Sequence, residues 1–437
     1  MTAAVMAMAS AIGLAQGADG PPIRDLRDLK QDCRAYLAAP DGPLVSAERK
    51  RKQYDYFRRM HYAPWNEDKP SSAMAKEMRD AFDRYAATPG FGENCMPHDR
   101  QWVESLRKNA GLEQWPNNPY RAITVRNSDL RELPTRRPVF ETREDYPFDR
   151  LQNTAVWAGT PAKVWHTSLD GAWAYVQVGY ASGWMPAADM ARVNEEMADD
   201  WQRMPLAALL RDDVPFANGE DGYRFTTHIG AVFPYLAERD GGVAVTFAVR
   251  NEKGVAVAQS TWLGRDRACP MPLPATPAAV AMVANRLLGQ PYGWGGLYEN
   301  RDCSSTLRDL FVPFGLWLPR NSGPQARAGR VVSLAGLSPA DKQATIRRQG
   351  VPLLTLLGMR GHIMLYVGQA GGQAAILHNY WGVRVRTPAG EQRRHVGACV
   401  ITTLRPGGEL PNIAPGSDLA GAIETMTILD APPEDAK

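Results

Sequence analysis

No stretch of the 437 residues stays apolar for long enough to cross a bilayer, and charge of neither sign predominates. A membrane-spanning helix needs about 20 consecutive apolar residues, so a membrane span is not expected. Fifty Lys and Arg stand against 47 Asp and Glu, a formal charge of +3. That balance lacks the dense basic stripe of a nucleic-acid binder, and runs such as "ERKRKQ" near residue 50 and "EQRRHVG" near 393 read as solvated faces. Cysteine is scarce: Cys33, Cys95, Cys269, Cys303 and Cys399 match no zinc pattern of paired cysteines, and no metal or cofactor is expected. Two disulfides would leave one thiol over, and Cys33 with Cys95, and Cys269 with Cys399, would each close within one domain; the sequence leaves five reduced thiols equally open. Only seven histidines are present, which leaves few candidates for proton transfer at neutral pH.

What is there is globular composition, 44% hydrophobic and 22% charged, on a chain long enough for several domains. Residues 1–17, with the apolar "AAVMAMASAIGLA" followed by Ala15-Gln16-Gly17, read as a signal peptide, so an exported protein, periplasmic or extracellular, is expected. Residues 18–115 carry apolar residues three and four apart in "AERKRKQYDYFRRM" and "AMAKEMRDAFDRYAA", the pattern of a helical unit that ends at "QWPNNPYR". From 116 to 192 the period changes to short strands with turn chemistry, and 193–268 repeats the style with "RDGG" and "NEKG" as hairpin turns. Two such units in succession predict tandem SH3-like barrels. A proline-rich linker precedes the last domain, 269–405, and residues 406–437 form an extension whose amphipathic "LAGAIETMTIL" could dock on the body. The fold class expected is multidomain α+β.

Within "NRDCSSTLRDLF" a cysteine sits where an apolar helical pattern begins. Unpaired backbone amides and the positive end of the helix dipole favour a thiolate there. A thiolate needs an acid to protonate a leaving amine, and "GHIMLYVGQAGGQAAILHNY" supplies two histidines on what read as adjacent strands. Alternation puts His362, Met364 and Tyr366 on one face and Ala374, Ile376 and His378 on one face of the partner. With Gln369, Ala370 and Gly371 as the turn, His362 lies directly opposite His378, their Cβ atoms roughly 5 Å apart. Nucleophile, base and orienter are then present, as in a cysteine-peptidase triad. A register slip by one residue would destroy it.

"YGWGG", "RDCSS", "LPRNS", "GHIMLYVG" and "LHNYWG", in that order over residues 275–405, resemble the NlpC-type papain-like cysteine peptidases, which hydrolyse peptidoglycan peptides. The helical unit and two barrels upstream are similar to the subgroup of gamma-D-glutamyl-L-diamino acid endopeptidases. The resemblance implies a papain-like α+β catalytic domain with Cys303 as nucleophile, His362 as base and acid, and His378 as third member. It implies that Asp302 binds the free amino group of an N-terminal L-Ala, that Ser304 and Ser322 line the site, and that Asp149 and Tyr180 of the first barrel complete the amine pocket. Met359-Arg360 departs from the pattern, where a proline is expected before the Gly-His pair. The expected partners are peptidoglycan peptides, with the chain a monomer. Two other readings stand beside this one: a wall-binding protein whose peptidase domain is inactive, and a hydrolase of intact wall peptides or other amides.

Overall fold

The computed structural model describes residues 23–37, 42–218, 222–388 and 390–432. The expected signal peptide lies outside them. Among the described residues no helix is long and apolar enough to cross a membrane.

Three helices follow the sequence pattern: α1 (Ala47–Asn66), α2 (Ser72–Ala87) and α3 (Arg100–Ala110). Each begins at a side-chain cap, from Ser46, Ser71 and Asp99, and α3 stops at Gly111 in the left-handed region. They do not form a unit with a core of its own. Met78, Phe82 and Tyr85 of α2 pack with Leu133, Trp165 and Trp184 of the first barrel, and the Trp65 indole of α1 donates to Ala122 O at 2.8 Å. The helices are a collar on that barrel. Residues 24–37 leave the collar and strap onto the last domain: Asn285 Oδ1 accepts from the Cys33 amide at 2.8 Å, and Asp25 accepts from the Thr403 amide at 2.7 Å.

The first barrel is a seven-stranded antiparallel sheet between Tyr120 and Arg192. The second combines a five-stranded sheet, between Leu206 and Pro270, with the hairpin Val214–Asn218 and Gly222–Thr227. Its core is a stack of Phe216, Phe225, Phe233 and Phe247.

The last domain packs α4 (Pro277–Leu287) and α5 (Cys303–Phe311) on a six-stranded sheet. Its strands are β1 (Arg330–Ser333), β2 (Thr355–Met359), β3 (His362–Ala370), β4 (Gln373–Thr387), β5 (Gly390–Thr403) and β6 (Thr425–Ile428), in the order β1-β6-β2-β3-β4-β5. The boundary expected after 405 is therefore corrected. β6 inserts between β1 and β2, with Met426 and Ile428 fully buried, so the extension is part of the catalytic sheet. A four-residue strand whose pairing partners lie some 70 and 100 residues earlier carries no local signal of its place in a sheet.

Of the two alternatives the sequence left open for the cysteines, the reduced one is found. All five cysteines are free; Cys33, Cys269, Cys303 and Cys399 share the core of the last domain, while Cys95 is exposed in the collar.

Candidate active site

Asp302 is the N-cap of α5 and forms a capping box: its Oδ1 accepts from the Ser305 amide at 2.8 Å, and Ser305 Oγ accepts from the Asp302 amide at 2.9 Å. The box holds the first turn rigidly. Leu307, Leu310 and Phe311 anchor the helix in the core, so Cys303 stands at the first helical position, 7% exposed, with the amide donors of a helix start around it. The Ile363 amide, at the start of β3 next to His362, is among the groups that favour the thiolate of Cys303.

His362 and His378 do meet, though in another register than the sequence suggested. Gly371 and Gly372, both at positive φ, form a two-residue turn pairing Ala370 with Gln373, three residues away from the expected register. An odd shift would send His378 to the other face of the sheet. A bulge between Tyr366 and Gly368 takes one residue back, so Leu365 pairs with Leu377 and both histidines again share a face. His362 is not directly opposite His378, and the two meet on a diagonal with Nε2 of His362 3.0 Å from Nδ1 of His378. The bulge coincides with Gly368 at φ +135°, where a Cβ would meet Tyr36 O at 2.3 Å; the N-terminal strap closes over it.

Beyond His378 the chain of contacts ends on the backbone. Its Nε2 is 3.0 Å from Thr402 Oγ1, and that hydroxyl donates to Thr403 O at 2.7 Å. A hydroxyl has one proton, so Thr402 accepts from His378 Nε2–H. Neutral His378 then has its lone pair at Nδ1, and His362 Nε2–H must be the donor to it. Neutral His362 is left with its lone pair at Nδ1, the tautomer a general base for Cys303 requires.

Burial keeps this group uncharged at rest. It pushes the Cys303 thiol up to about 12, helped by the Asp302 carboxylate and opposed by the Ile363 and Ser304 amides and Arg320. It pushes His362 down to about 4, partly offset by Asp302, and His378 well below the usual histidine range. The helix start favours thiolate, yet desolvation outweighs it. Burial therefore disfavours a standing thiolate–imidazolium ion pair.

The remaining expected residues divide. Ser304 Oγ donates to Asp302 Oδ1 at 3.0 Å, within the site, and half-buried Ser322 opens the short helix Ser322–Gln325. Asp302 itself is ion-paired with Arg320, Nη2 to Oδ2 at 2.7 Å, which holds its carboxyl below the usual range despite burial. Oδ1 is crowded by the cap, whereas Oδ2 accepts only from Arg320. Tyr180 lies under the Arg308 guanidinium at 3.9 Å and shares a cleft with Arg320. Asp149 is corrected: 1% exposed, it accepts from the Val139 and Leu151 amides and pairs with Arg131 at 2.8 Å, so it serves the barrel's interior. Three residues were given no role from the sequence. Thr402 could have been found from the alternation of "ACVITTLR". Arg320 and Tyr292 stand inside the "LPRNS" and "YGWGG" motifs, which do not reveal their partners; burial, then Cys303 and Asp302, oppose ionisation of the Tyr292 phenol.

Comparison with known proteins bears on the same segments. The NlpC/P60 family model matches residues 289–396, an N-terminal NLPC_P60 stabilising-domain model residues 1–115, and SH3 models of the SH3b1 and SH3b2 types residues 138–186 and 194–240. A gamma-D-glutamyl-L-lysine dipeptidyl-peptidase of Bacillus subtilis is 27% identical over 56% of this chain and 77% of its own length. Its counterpart in Bacillus cereus is 25% identical over 43% of this chain and 54% of its own. Among solved structures, an NlpC/P60 endopeptidase from Photobacterium damselae subsp. piscicida superposes with a TM-score of 0.82 at 26% identity, over 93% of this chain and 98% of that one. Four matched segments in this order, the last of them holding the cysteine and both histidines, identify the chain as a member of the NlpC/P60 family and a cysteine peptidase.

Proposed function

We propose that the chain hydrolyses the gamma-D-glutamyl-L-diamino acid bond of peptidoglycan peptides that carry a free N-terminal L-Ala. The observation that carries the mechanism is the oriented chain from His362 Nε2 through His378 to Thr402 and the Thr403 carbonyl. Cys303 Sγ attacks the side-chain carbonyl of D-glutamate while its proton passes to His362 Nδ1. His362 returns that proton to the amine of the diamino acid as the C–N bond breaks, leaving a thioester. Water, deprotonated by His362, attacks the thioester, and Sγ is reprotonated as it leaves. The amide of Cys303 at the helix start and the protonated Tyr292 phenol are the candidate donors to the oxyanion.

The free-amine preference is supported by Asp302 Oδ2, which retains capacity beside Arg320, and by Tyr180 in the adjoining cleft. The names of the Bacillus relatives support the bond. Action outside the cytoplasm follows from such a substrate. An intact nucleophile and relay weigh against the reading of an inactive wall-binding protein.

The test is mass spectrometry of products from a free L-Ala-γ-D-Glu-diamino acid peptide, its N-acetyl form and intact sacculi. Free peptide should be cleaved about 30-fold or more faster than acetylated peptide, the loss expected when a desolvated charge partner goes missing. Cys303→Ala should abolish cleavage with folding intact. Substantial activity in that variant would refute the nucleophile; equal cleavage of both peptides would refute the amine pocket and favour intact wall as substrate.

A further inference from the structure

Arg308 lies on α5, the helix that Cys303 opens, and is 5% exposed. Its Nε and Nη2 both donate to Asp309 Oδ1, at 2.9 and 2.7 Å, while buried Nη1 meets no acceptor among the described residues. Asp309 has little left to offer it, because Oδ2 already accepts from Arg301 at 2.7 Å and from the Trp157 indole at 2.9 Å. A buried donor left without an acceptor is costly, and a charged one more so. The guanidinium lines a cavity of about 40 Å³ where α1, both barrels and α5 meet, walled by Phe57, Trp157, Val232 and Trp317. No Asp or Glu lines it among the described residues. His61 of α1 does, and burial, then the charge of Arg58, push it down to about 3, so it stays neutral there.

We infer that this cavity binds one halide ion, chloride in ordinary media, on Arg308 Nη1, and that the ion braces Tyr180 and through it the amine side of the substrate groove. The volume suits a monatomic ion and excludes a carboxylate with the carbon chain it belongs to. A water there needs two to four polar partners, which walls so apolar supply poorly, whereas a halide needs chiefly a cation. Charge favours the ion as well, because Arg308 shares its carboxylate with Arg301. Tyr180 carries the effect. The guanidinium carbon lies 3.9 Å from the centre of its ring, burial keeps its phenol protonated, and it borders the cleft that holds Arg320. An ion on Nη1 fixes the guanidinium plane against which that ring rests. This second half of the inference rests on the free-amine pocket proposed above; halide binding does not.

The experiment takes the whole enzyme into sodium gluconate buffer and titrates in sodium chloride, bromide or fluoride at constant ionic strength. Chloride and bromide should raise the melting temperature saturably, as a ligand bound only by the folded state does, and strongly hydrated fluoride should not. For the free L-Ala-γ-D-Glu-diamino acid peptide, kcat/KM should rise with the same midpoint by about fivefold, the lower end of coupling between two sites. Crystals grown in bromide should show an anomalous peak beside Nη1, a readout that needs no variant. Arg308→Met should abolish all three responses. A melting temperature indifferent to the anion with no bromide peak, or halide responses that survive in Arg308→Met, overturns the site. A peak with kcat/KM unchanged overturns the link to Tyr180. Failure to cleave the peptide in any salt overturns the proposed activity instead, and the halide site then stands or falls on the melting temperature and the bromide peak.

Discussion

The two barrels share a strand-rich pattern and nearly the same length, yet they stand in different relations to the catalytic helix. The first reaches the groove. Thr154 Oγ1 accepts from Arg320 Nε at 2.6 Å, and Arg320 in turn holds Asp302. Its strand Gln152–Val156 runs so close to the turn after Gly293 that Cβ atoms at Gly295 and Gly296 would lie 2.5 Å from Gln152 O and Ala155 N. The second barrel works from behind. Asp212 takes Arg301 at 2.7 and 2.9 Å, Ile229 O accepts from the same guanidinium at 2.8 Å, and His228 meets Glu299 at 2.7 Å. The difference teaches that one sheet type can shape a substrate groove or clamp a helix, according to which edge meets the catalytic domain.

The two roles converge on Asp309, which is completely buried. It accepts from Trp157 Nε1 of the first barrel at 2.9 Å, from Arg301 at 2.7 Å and from Arg308 at 2.7 Å. Asp309→Ala should have the largest effect, because it leaves two buried guanidiniums short of a carboxylate and an indole without an acceptor. A loss of about 3–5 kcal/mol is expected, measured by urea denaturation. A loss below about 1 kcal/mol would mean the barrels are held chiefly by apolar contacts.

A paired experiment separates the barrels. Thr154→Val, in the first, deprives Arg320 Nε of its acceptor and should lower kcat/KM by about tenfold to a hundredfold with little change in stability, the net value of a hydrogen bond to a charged group. Asp212→Asn, in the second, should cost about 1–3 kcal/mol of stability and leave kcat/KM of the folded enzyme within about twofold. The division of labour fails if the two variants behave alike.

The last test concerns pH and should involve neither barrel. His362 and His378 are held neutral by burial, so the unfolded chain binds more protons than the folded one below the ordinary histidine pKa of about 6.5. Their contribution to stability is fully present above that pH and is lost as pH falls toward about 4. The melting temperature should decline across that window, His378→Gln should flatten the decline, and Thr154→Val and Asp212→Asn should leave its slope unchanged. The acid limb of kcat/KM should lie near pH 4, where His362 takes up its proton; a limb near 6.5 would mean that the histidine is solvated in the working enzyme.

Much of this was legible one element at a time. The helix opening at Cys303, the helical pattern of α1 and α2 and the strand-rich middle all follow from spacing and turn chemistry, which act within a few residues. What failed was pairing. The turn was placed two residues early, and only the bulge before Gly368, fitted against the Tyr36 backbone from a strap more than 300 residues earlier, returned the histidines to one face. Asp149 was a plausible carboxylate for the amine pocket until Arg131 and two barrel amides claimed it.

The sequence by itself determined the kind of chemistry: a thiol at a helix start and two histidines on adjacent strands. Tertiary structure alone decided the ionisation of that thiol, the tautomers of the histidines and the partners of Asp302. Local pattern sets which backbone groups surround Cys303, whereas desolvation depends on everything packed over it in the core of the last domain. Because charge in a buried site is governed by the loss of water more than by any neighbour along the chain, a helix start that favours thiolate in isolation rests here as a neutral thiol.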